Sequence, residues 1–324
     1  MAGRRSHRGR ARRGALLAAA LGLSFGLSLV LTSGGAHAFC RTRTEKVAAD
    51  HDATKLGCKL DGVPLFWKNT CVGYSIQGSG SKRISYEEAA NGMSQAFTRW
   101  TGATCPADAN GRTRPSIDVR DLGPVDCARV EYVSGAANQN VIIFRDESWP
   151  HAKTTYGLVT TRFDAKTGEL YGADMELNMF DMDPLAVRDP VAPNEYDFLS
   201  VATHEAGHFL GLNHSDVVDS TMYAYYGRGQ TQQRILRPDD IEGICTIYRP
   251  DGVRTVLDQQ VLAGGQCDPT PRGGYSTQCE EPSCAAAPGP PRRADTAWLV
   301  GLTALLHLAR RSRFGSRNRM QGRR

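Results

Sequence analysis

Five fixed positions fall within eleven residues of this chain: His204, Glu205, His208, Gly211 and His214, spaced H-E-x-x-H-x-x-G-x-x-H. On a helix, His204 and His208 stand one turn apart on a common face, so both imidazoles can address one ion. Gly211 can take a positive φ, which ends the helix and turns the chain so that His214 brings a third nitrogen from another direction. Three neutral imidazoles leave one tetrahedral position open, the ligand set of a catalytic Zn²⁺ rather than of a closed structural site. Glu205, beside the first ligand, can reach a water on that ion without being a ligand itself. The chemistry these types and spacings suit is hydrolysis by a zinc-bound water with Glu205 as base. A helix whose histidines merely fill surface or core positions is the bland alternative, and five specified positions argue against it.

Met222 follows eight residues after His214, in Ser220-Thr221-Met222-Tyr223. On these residues the chain resembles the metzincin metallopeptidases and, within them, the matrixins, which share the zinc helix and the Met-turn. The resemblance covers about residues 66–250 and extends to Asp239-Asp240-Ile241-Glu242-Gly243-Ile244. It implies an α+β, zincin-like fold: a twisted, mostly parallel sheet with an antiparallel edge strand, the zinc helix, the Met-turn and a C-terminal helix. It also implies a zinc-dependent metalloendopeptidase acting on proteins or peptides. Met222 is then a packing residue under the ligands, and Tyr223 lines the pocket for the residue after the scissile bond. Gly157, Leu158 and Val159 lie on the edge strand that an extended substrate pairs with. Ala224 stands where matrixins often carry proline, and the Pro-Arg-Cys-Gly latency motif of the family has no counterpart in residues 39–70. An aspartate of the Asp-Asp pair can hold a mature N-terminal ammonium in that family.

The elements that must position these residues are legible in the periodicities. Ser85 caps a helix, with Glu88 at the capping-box position, and Ala89, Met93, Ala96, Phe97 and Trp100 form its apolar stripe. Gly102 ends that helix. Short strands are expected at residues 72–76, 116–119 and 141–144, and a hairpin at 157–163 and 169–178 around Asp164-Ala165-Lys166-Thr167-Gly168. Asn194 is expected to cap the zinc helix, which runs to about Leu212, with Phe198, Val201, Ala202, Ala206 and Phe209 toward the sheet. Pro238 opens a last helix with acids in its first turn.

The chain of 324 residues has a formal charge of +5, but the charge is unevenly spread. Two arginine clusters, in residues 1–38 and 310–324, hold thirteen of the 39 Lys and Arg and no acid, which leaves 26 against 34 Asp and Glu, about −8, between them. That excludes a basic nucleic-acid footprint on the folded part. The Arg-rich start, the apolar run at 14–32 and Ala36-His37-Ala38 read as a signal peptide with Phe39 as mature N-terminus, a retained anchor being the alternative. All nine cysteines follow it: 40, 58, 71, 105, 127, 245, 267, 279 and 284. In an exported chain they form disulfides with one thiol left over, a second metal site being the competing reading; the pairing is open.

The expected organisation is a signal peptide at 1–38, a cysteine-containing segment at 39–65, the metallopeptidase domain at 66–250, a Gly/Pro/Cys linker at 251–293, an apolar segment at 294–311 and a basic tail at 312–324. Cys284, the apolar run and the terminal arginines resemble a bacterial C-terminal sorting signal of the myxobacterial cysteine-containing type; a plain tail anchor is the alternative. Either attaches an exported, monomeric protein to a membrane or cell surface. Some matrixins carry a second zinc on three histidines and an aspartate, but only His51 and His151 remain outside the motif and the terminal segments, so that zinc is not expected. Asp174, Glu176, Asp181 and Asp183 can bind Ca²⁺ or serve as solvated turn carboxylates. Two further functions stay open: a surface-anchored binding module that keeps the fold without cleaving, and a zinc hydrolase for non-peptide amides.

Overall fold

The alternating and apolar runs resolve, in a computed structural model that describes residues 39–46, 51–180 and 185–279, into a five-stranded mixed sheet with helices packed on it and three two-stranded sheets. In chain order the elements are β1 (Cys40–Arg41), α1 (Ala53–Leu56), β2 (Cys71–Gln77), α2 (Tyr86–Thr101), β3 (Asp118–Val125), β4 (Val141–Arg145), β5 (Gly157–Phe163) and β6 (Leu170–Asn178). They continue with β7 (Leu185–Ala186), β8 (Tyr196–Asp197), α3 (Phe198–Phe209), β9 (Leu212–Asn213), a 3₁₀ turn (Gln232–Arg234), α4 (Pro238–Ile247), β10 (Val253–Val256) and β11 (Gln259–Leu262). The five-stranded sheet has the order β3-β2-β4-β6-β5, parallel throughout except for β5, which runs antiparallel to β6 at the edge. The protein is therefore α+β, with the expected mostly parallel sheet and antiparallel edge strand.

Residues of β2 and β4 are apolar and buried along nearly their whole length, as strands covered on both faces must be. On one face lie α2 and α3. The capping box of Ser85 and Glu88 starts α2, and its stripe of Ala89, Met93, Ala96, Phe97 and Trp100 is fully buried against α3 and the sheet. Gly92 lets the two helices approach: a Cβ there would lie 2.4 Å from the Phe198 ring.

The cap of α3 differs from expectation. Asp197, not Asn194, is the N-cap, accepting from Ser200 N at 2.8 Å and Ser200 Oγ at 2.6 Å, and the helix stops at Phe209 rather than near Leu212. The reason is a partner remote in sequence: Arg234 grips both Asp197 oxygens at 2.7 Å, which fixes that carboxylate where it caps.

Four disulfides pair eight cysteines: Cys40–Cys58, Cys71–Cys267, Cys105–Cys245 and Cys127–Cys279. Cys284 lies outside the described residues, as do the expected signal peptide at 1–38, the apolar segment at 294–311 and the basic tail at 312–324. Within the stretch expected as a linker, residues 251–279 form the β10–β11 hairpin and bridge back to β2 and to the loop after β3. Among the described residues no helix is long and apolar enough to cross a membrane.

Candidate metal centre

Helix α3 presents its motif residues because its backbone is pegged from two sides. Trp100 Nε1 donates to Thr203 O at 2.7 Å, and Trp67 Nε1 donates to Phe209 O at 2.8 Å. Both indoles are buried and find carbonyl partners, as buried indoles do. The expected sheet-facing residues, Phe198, Val201, Ala202, Ala206 and Phe209, are all buried in the core. The helix exits through Gly211 at φ +94°, the left-handed turn the motif called for, and a Cβ there would lie 3.0 Å from Leu65 O.

The turn delivers His214 to the other two histidines. Ring centroids are 4.7 Å apart for His204 and His208, 5.2 Å for His204 and His214, and 4.9 Å for His208 and His214. One ring nitrogen from each lies within 4.8 Å of the others. His204 Nδ1 lies 2.8 Å from Thr221 O, and His208 Nδ1 lies 3.0 Å from Leu212 O. A carbonyl only accepts, so each Nδ1 carries the proton and each Nε2 is left with a bare lone pair. Those two Nε2 atoms face each other at 3.1 Å. Two lone pairs hold that separation favourably when a cation stands between them. Tetrahedral Zn–N bonds of about 2.0–2.1 Å place ligand nitrogens about 3.3 Å apart, so the donor set fits zinc in kind and spacing. Burial depresses the basicity of all three, helped at His204 and His208 by neighbouring imidazoles and opposed at His214 by the Asp52 carboxylate: His208 falls to about 3, and His204 and His214 fall below the usual histidine range. Neutral imidazole is the form a metal binds.

Glu205 is fully buried, and burial alone raises its carboxyl to about 8. Its Oε2 has no hydrogen-bond partner in the protein. A buried carboxylate oxygen without a donor is costly, which marks the place as one for a reactant. The start of β5 runs against it: a Cβ on Gly157 would fall 2.5 Å from Glu205 Cδ and Oε1. Gly157 is thus brought to the site, and Leu158 and Val159 follow it along the edge strand, paired through β5 only to β6 among the described residues.

Met222 packs against α3 at Gly207, between His204 and His208. It is fully buried, and a Cβ on Gly207 would strike its sulfur at 2.3 Å, so the glycine between Glu205 and His208 is what admits the thioether. Tyr223 is half-buried beside it and stacks edge-on with Tyr225 at 5.6 Å.

One organising residue has a role the sequence did not suggest, since the resemblance implied only that an aspartate of the Asp239-Asp240 pair can hold an N-terminal ammonium. Asp240, fully buried, accepts from Ser220 Oγ at 2.9 Å, Thr221 N at 2.8 Å, Met222 N at 3.0 Å and Arg237 N at 2.8 Å. It therefore builds the turn that carries both Met222 and the Thr221 carbonyl under His204. Its neighbour Asp239 accepts from Ser215 Oγ at 2.7 Å, next to His214. Two adjacent acids at a helix start ordinarily read as dipole complementation, which carries no hint of the turn upstream.

Two of the calcium candidates, Asp174 and Glu176, are otherwise engaged. Asp174 accepts from Val141 N at 2.9 Å and Glu131 N at 3.1 Å. Glu176 bonds Arg145 at 2.6 Å and His151 at 3.0 Å. Neither joins a cluster of three or more His, Cys, Asp or Glu ligand atoms among the described residues, and Asp181 and Asp183 lie outside them.

The histidine cluster and the turn beneath it lie inside the part of the chain that finds a counterpart among known proteins. Residues 130–249 match the matrixin family model. By direct comparison the chain is also similar to matrixin-type proteins. Human (Homo sapiens) matrilysin is 48% identical over 52 residues, 16% of this chain and 20% of that protein. Interstitial collagenase of Oryctolagus cuniculus is 28% identical over 185 residues, 57% of this chain and 33% of its own. Matrix metalloproteinase-C of Caenorhabditis elegans is 27% identical over 194 residues, 56% and 28% of the two chains. The chain spans about a fifth of the length of the matrilysins it matches. The matrixin match begins after β3, so β1, α1, β2, α2 and the disulfide-linked hairpin β10–β11 lie outside it.

Proposed function

We propose that this protein is an exported, zinc-dependent endopeptidase of the matrixin type, with His204, His208 and His214 as metal ligands and Glu205 as catalytic base. The observation that carries the reading is the pair of Nε2 lone pairs facing each other at 3.1 Å, both tautomers fixed by carbonyls, one residue away from a buried carboxylate oxygen with no partner. The chemistry that Zn²⁺ supplies when held there is Lewis acidity toward a carbonyl oxygen and a water that is nucleophilic near neutral pH.

The chain's own groups do the rest. An extended peptide adds to the free side of β5, its backbone hydrogen-bonding along Gly157, Leu158 and Val159, which is largely indifferent to side chains. Glu205 accepts a proton from the attacking water as the C–O bond forms, then gives that proton to the amide nitrogen as the C–N bond breaks. Tyr223 lines the pocket for the residue that follows the broken bond. Thr221 and Leu212 hold the two imidazoles in the tautomer that keeps Nε2 free. Export rests on residues 1–38, and surface attachment on 284–324.

The test is cleavage of casein by zinc-loaded protein, with and without chelator, alongside Glu205→Gln. Chelation should stop cleavage and added zinc restore it. Glu205→Gln should keep a full equivalent of zinc and lose about 10²- to 10⁴-fold in rate. A variant that keeps the wild-type rate would falsify the mechanism, and a folded, zinc-loaded wild type inert toward casein would favour a non-catalytic binding module.

A further inference from the structure

Past Met222 the chain returns beneath the histidines, and Tyr226 points into the site. Its ring stands edge-on to His204 with centroids 5.2 Å apart, and edge-on to Tyr156 at 5.9 Å. The ring is only half-buried, but the hydroxyl is shut off from solvent and has no hydrogen-bond partner. A structural tyrosine in this fold behaves differently: the buried Tyr248 hydroxyl donates to Leu210 O at 2.8 Å and accepts from Trp67 N at 3.2 Å. An unpartnered buried hydroxyl costs about 1–3 kcal/mol, and folded proteins rarely keep one without a use.

The second observation is its neighbour. Glu205 Oε2 is a second buried oxygen of the site without a hydrogen-bond partner, and it stands near enough to Tyr226 for the two to interact electrostatically. The two oxygens do not bond each other. A hydroxyl and a carboxylate oxygen thus stand without partners around His204, and the edge strand closes on the carboxylate at Gly157, where a Cβ would already touch it.

We propose that Tyr226 is a further catalytic residue, whose hydroxyl donates a hydrogen bond to the substrate's carbonyl oxygen as that oxygen gains negative charge. The inference rests on the peptide-hydrolysis reading and adds to it a donor from the chain itself. During attack the water oxygen bonds the carbonyl carbon, the carbonyl π pair moves onto oxygen, and Glu205 takes the water's proton. Tyr226 keeps its hydrogen throughout, so nothing has to restore it after the C–N bond breaks. Its hydroxyl is buried and committed to no other acceptor, and a preorganised donor in a water-poor site needs no rearrangement as charge develops.

The test is Tyr226→Phe in the full zinc-loaded chain, which deletes one oxygen and keeps the ring. Loss of one such donor should lower kcat by about 10²- to 10³-fold with KM within about twofold of wild type. Zinc content and Tm should not move. Affinity for a phosphinic peptide, whose tetrahedral anion mimics the charged oxygen, should fall by a comparable factor. Binding of an uncleaved casein-derived peptide to the Glu205→Gln protein should be the same with and without the second change. Wild-type kcat together with wild-type phosphinic affinity in Tyr226→Phe would overturn the proposal, as would a raised KM at unchanged kcat, which makes Tyr226 a pocket wall only. The parent reading fails separately, through an inert wild type or an active Glu205→Gln.

Discussion

At the scale of single residues, the site is defined as much by side chains that are missing as by those present. Gly157 is the clearest case: its lack of a Cβ lets the edge strand close on the Glu205 carboxylate. Gly157→Ala should therefore leave the zinc content unchanged but displace Glu205 by about 1 Å, enough to cost roughly 10²-fold in kcat/KM. Wild-type kcat/KM in that variant would show that Glu205 has slack. Asp174 makes a second residue-scale prediction. Burial raises its carboxyl to about 7, against the pull of two backbone amide donors. A raised folded value means the native state binds this proton more tightly than the unfolded chain, whose carboxylates titrate near 4. Its contribution to stability is complete below about pH 4 and lost as pH rises through 7. Urea unfolding at saturating zinc from pH 5 to 8 should show that decline in wild type and a flatter profile in Asp174→Asn; equal slopes would remove the assignment. The grouping of the three histidines was readable in sequence because helix spacing puts His204 and His208 together and Gly211 turns the chain to bring His214 to them. Asp240 was not, because its four partners come from segments about 20 residues upstream and from its own helix start.

At the scale of elements, local pattern was read correctly where the cause is local. The capping box of α2, the glycine after α3 and the β5–β6 hairpin each depend on residues within one or two turns, and each stands where its residues put it. The start of α3 was misplaced for the opposite reason: Asn194 is a good cap by type, but Arg234, 37 residues beyond Asp197, decides the competition with a two-pronged bond to a buried carboxylate. The same non-local logic governs the Met-turn. Asp240→Ala would leave the amides of Thr221, Met222 and Arg237 and the hydroxyl of Ser220 without their acceptor. At about 1–3 kcal/mol for each buried donor left unmade, the loss should be on the order of 4 kcal/mol after partial relaxation. Because Thr221 O orients His204, zinc affinity should fall as well, as it does when a residue behind a ligand is lost, by about 10- to 100-fold. Denaturant unfolding and competitive zinc titration read the two effects; a variant weakened in stability alone would separate the turn from the metal centre.

At the scale of the whole molecule, the family-matched stretch at 130–249 does not stand by itself, because its sheet is completed and covered by residues on both sides of it. The segment 251–279 shows how. Arg254 is fully buried without a carboxylate partner: it donates to Trp67 O at 3.0 Å, Ser116 O at 2.8 Å and Ser116 Oγ at 2.6 Å, and lies 4.8 Å over the Tyr248 ring. Composition reads such a stretch as a linker since its anchors are backbone carbonyls and half-cystines far away in sequence, neither of which has a local period. Cys71–Cys267 and Cys127–Cys279 join residues 196 and 152 positions apart, so each removes much of the unfolded chain's freedom. A single bond of that span contributes about 2–5 kcal/mol, and two bonds tying one segment contribute less than twice that, because the first already closes most of the second loop. Both bridges fasten the side of the sheet at β2 and β3, whereas His204 and His208 sit on α3, His214 follows β9, and β5 borders the opposite edge. Cys267→Ala combined with Cys279→Ala should therefore lower Tm by many degrees while kcat/KM on casein peptides at 25 °C stays within about twofold. Cys40→Ala with Cys58→Ala should do the reverse, because that bridge secures β1, which pairs with β9 immediately before His214. A small stability change with a clear loss of zinc affinity or turnover is the expected result there, and equal behaviour of the two double variants would mean that the staples serve stability alone.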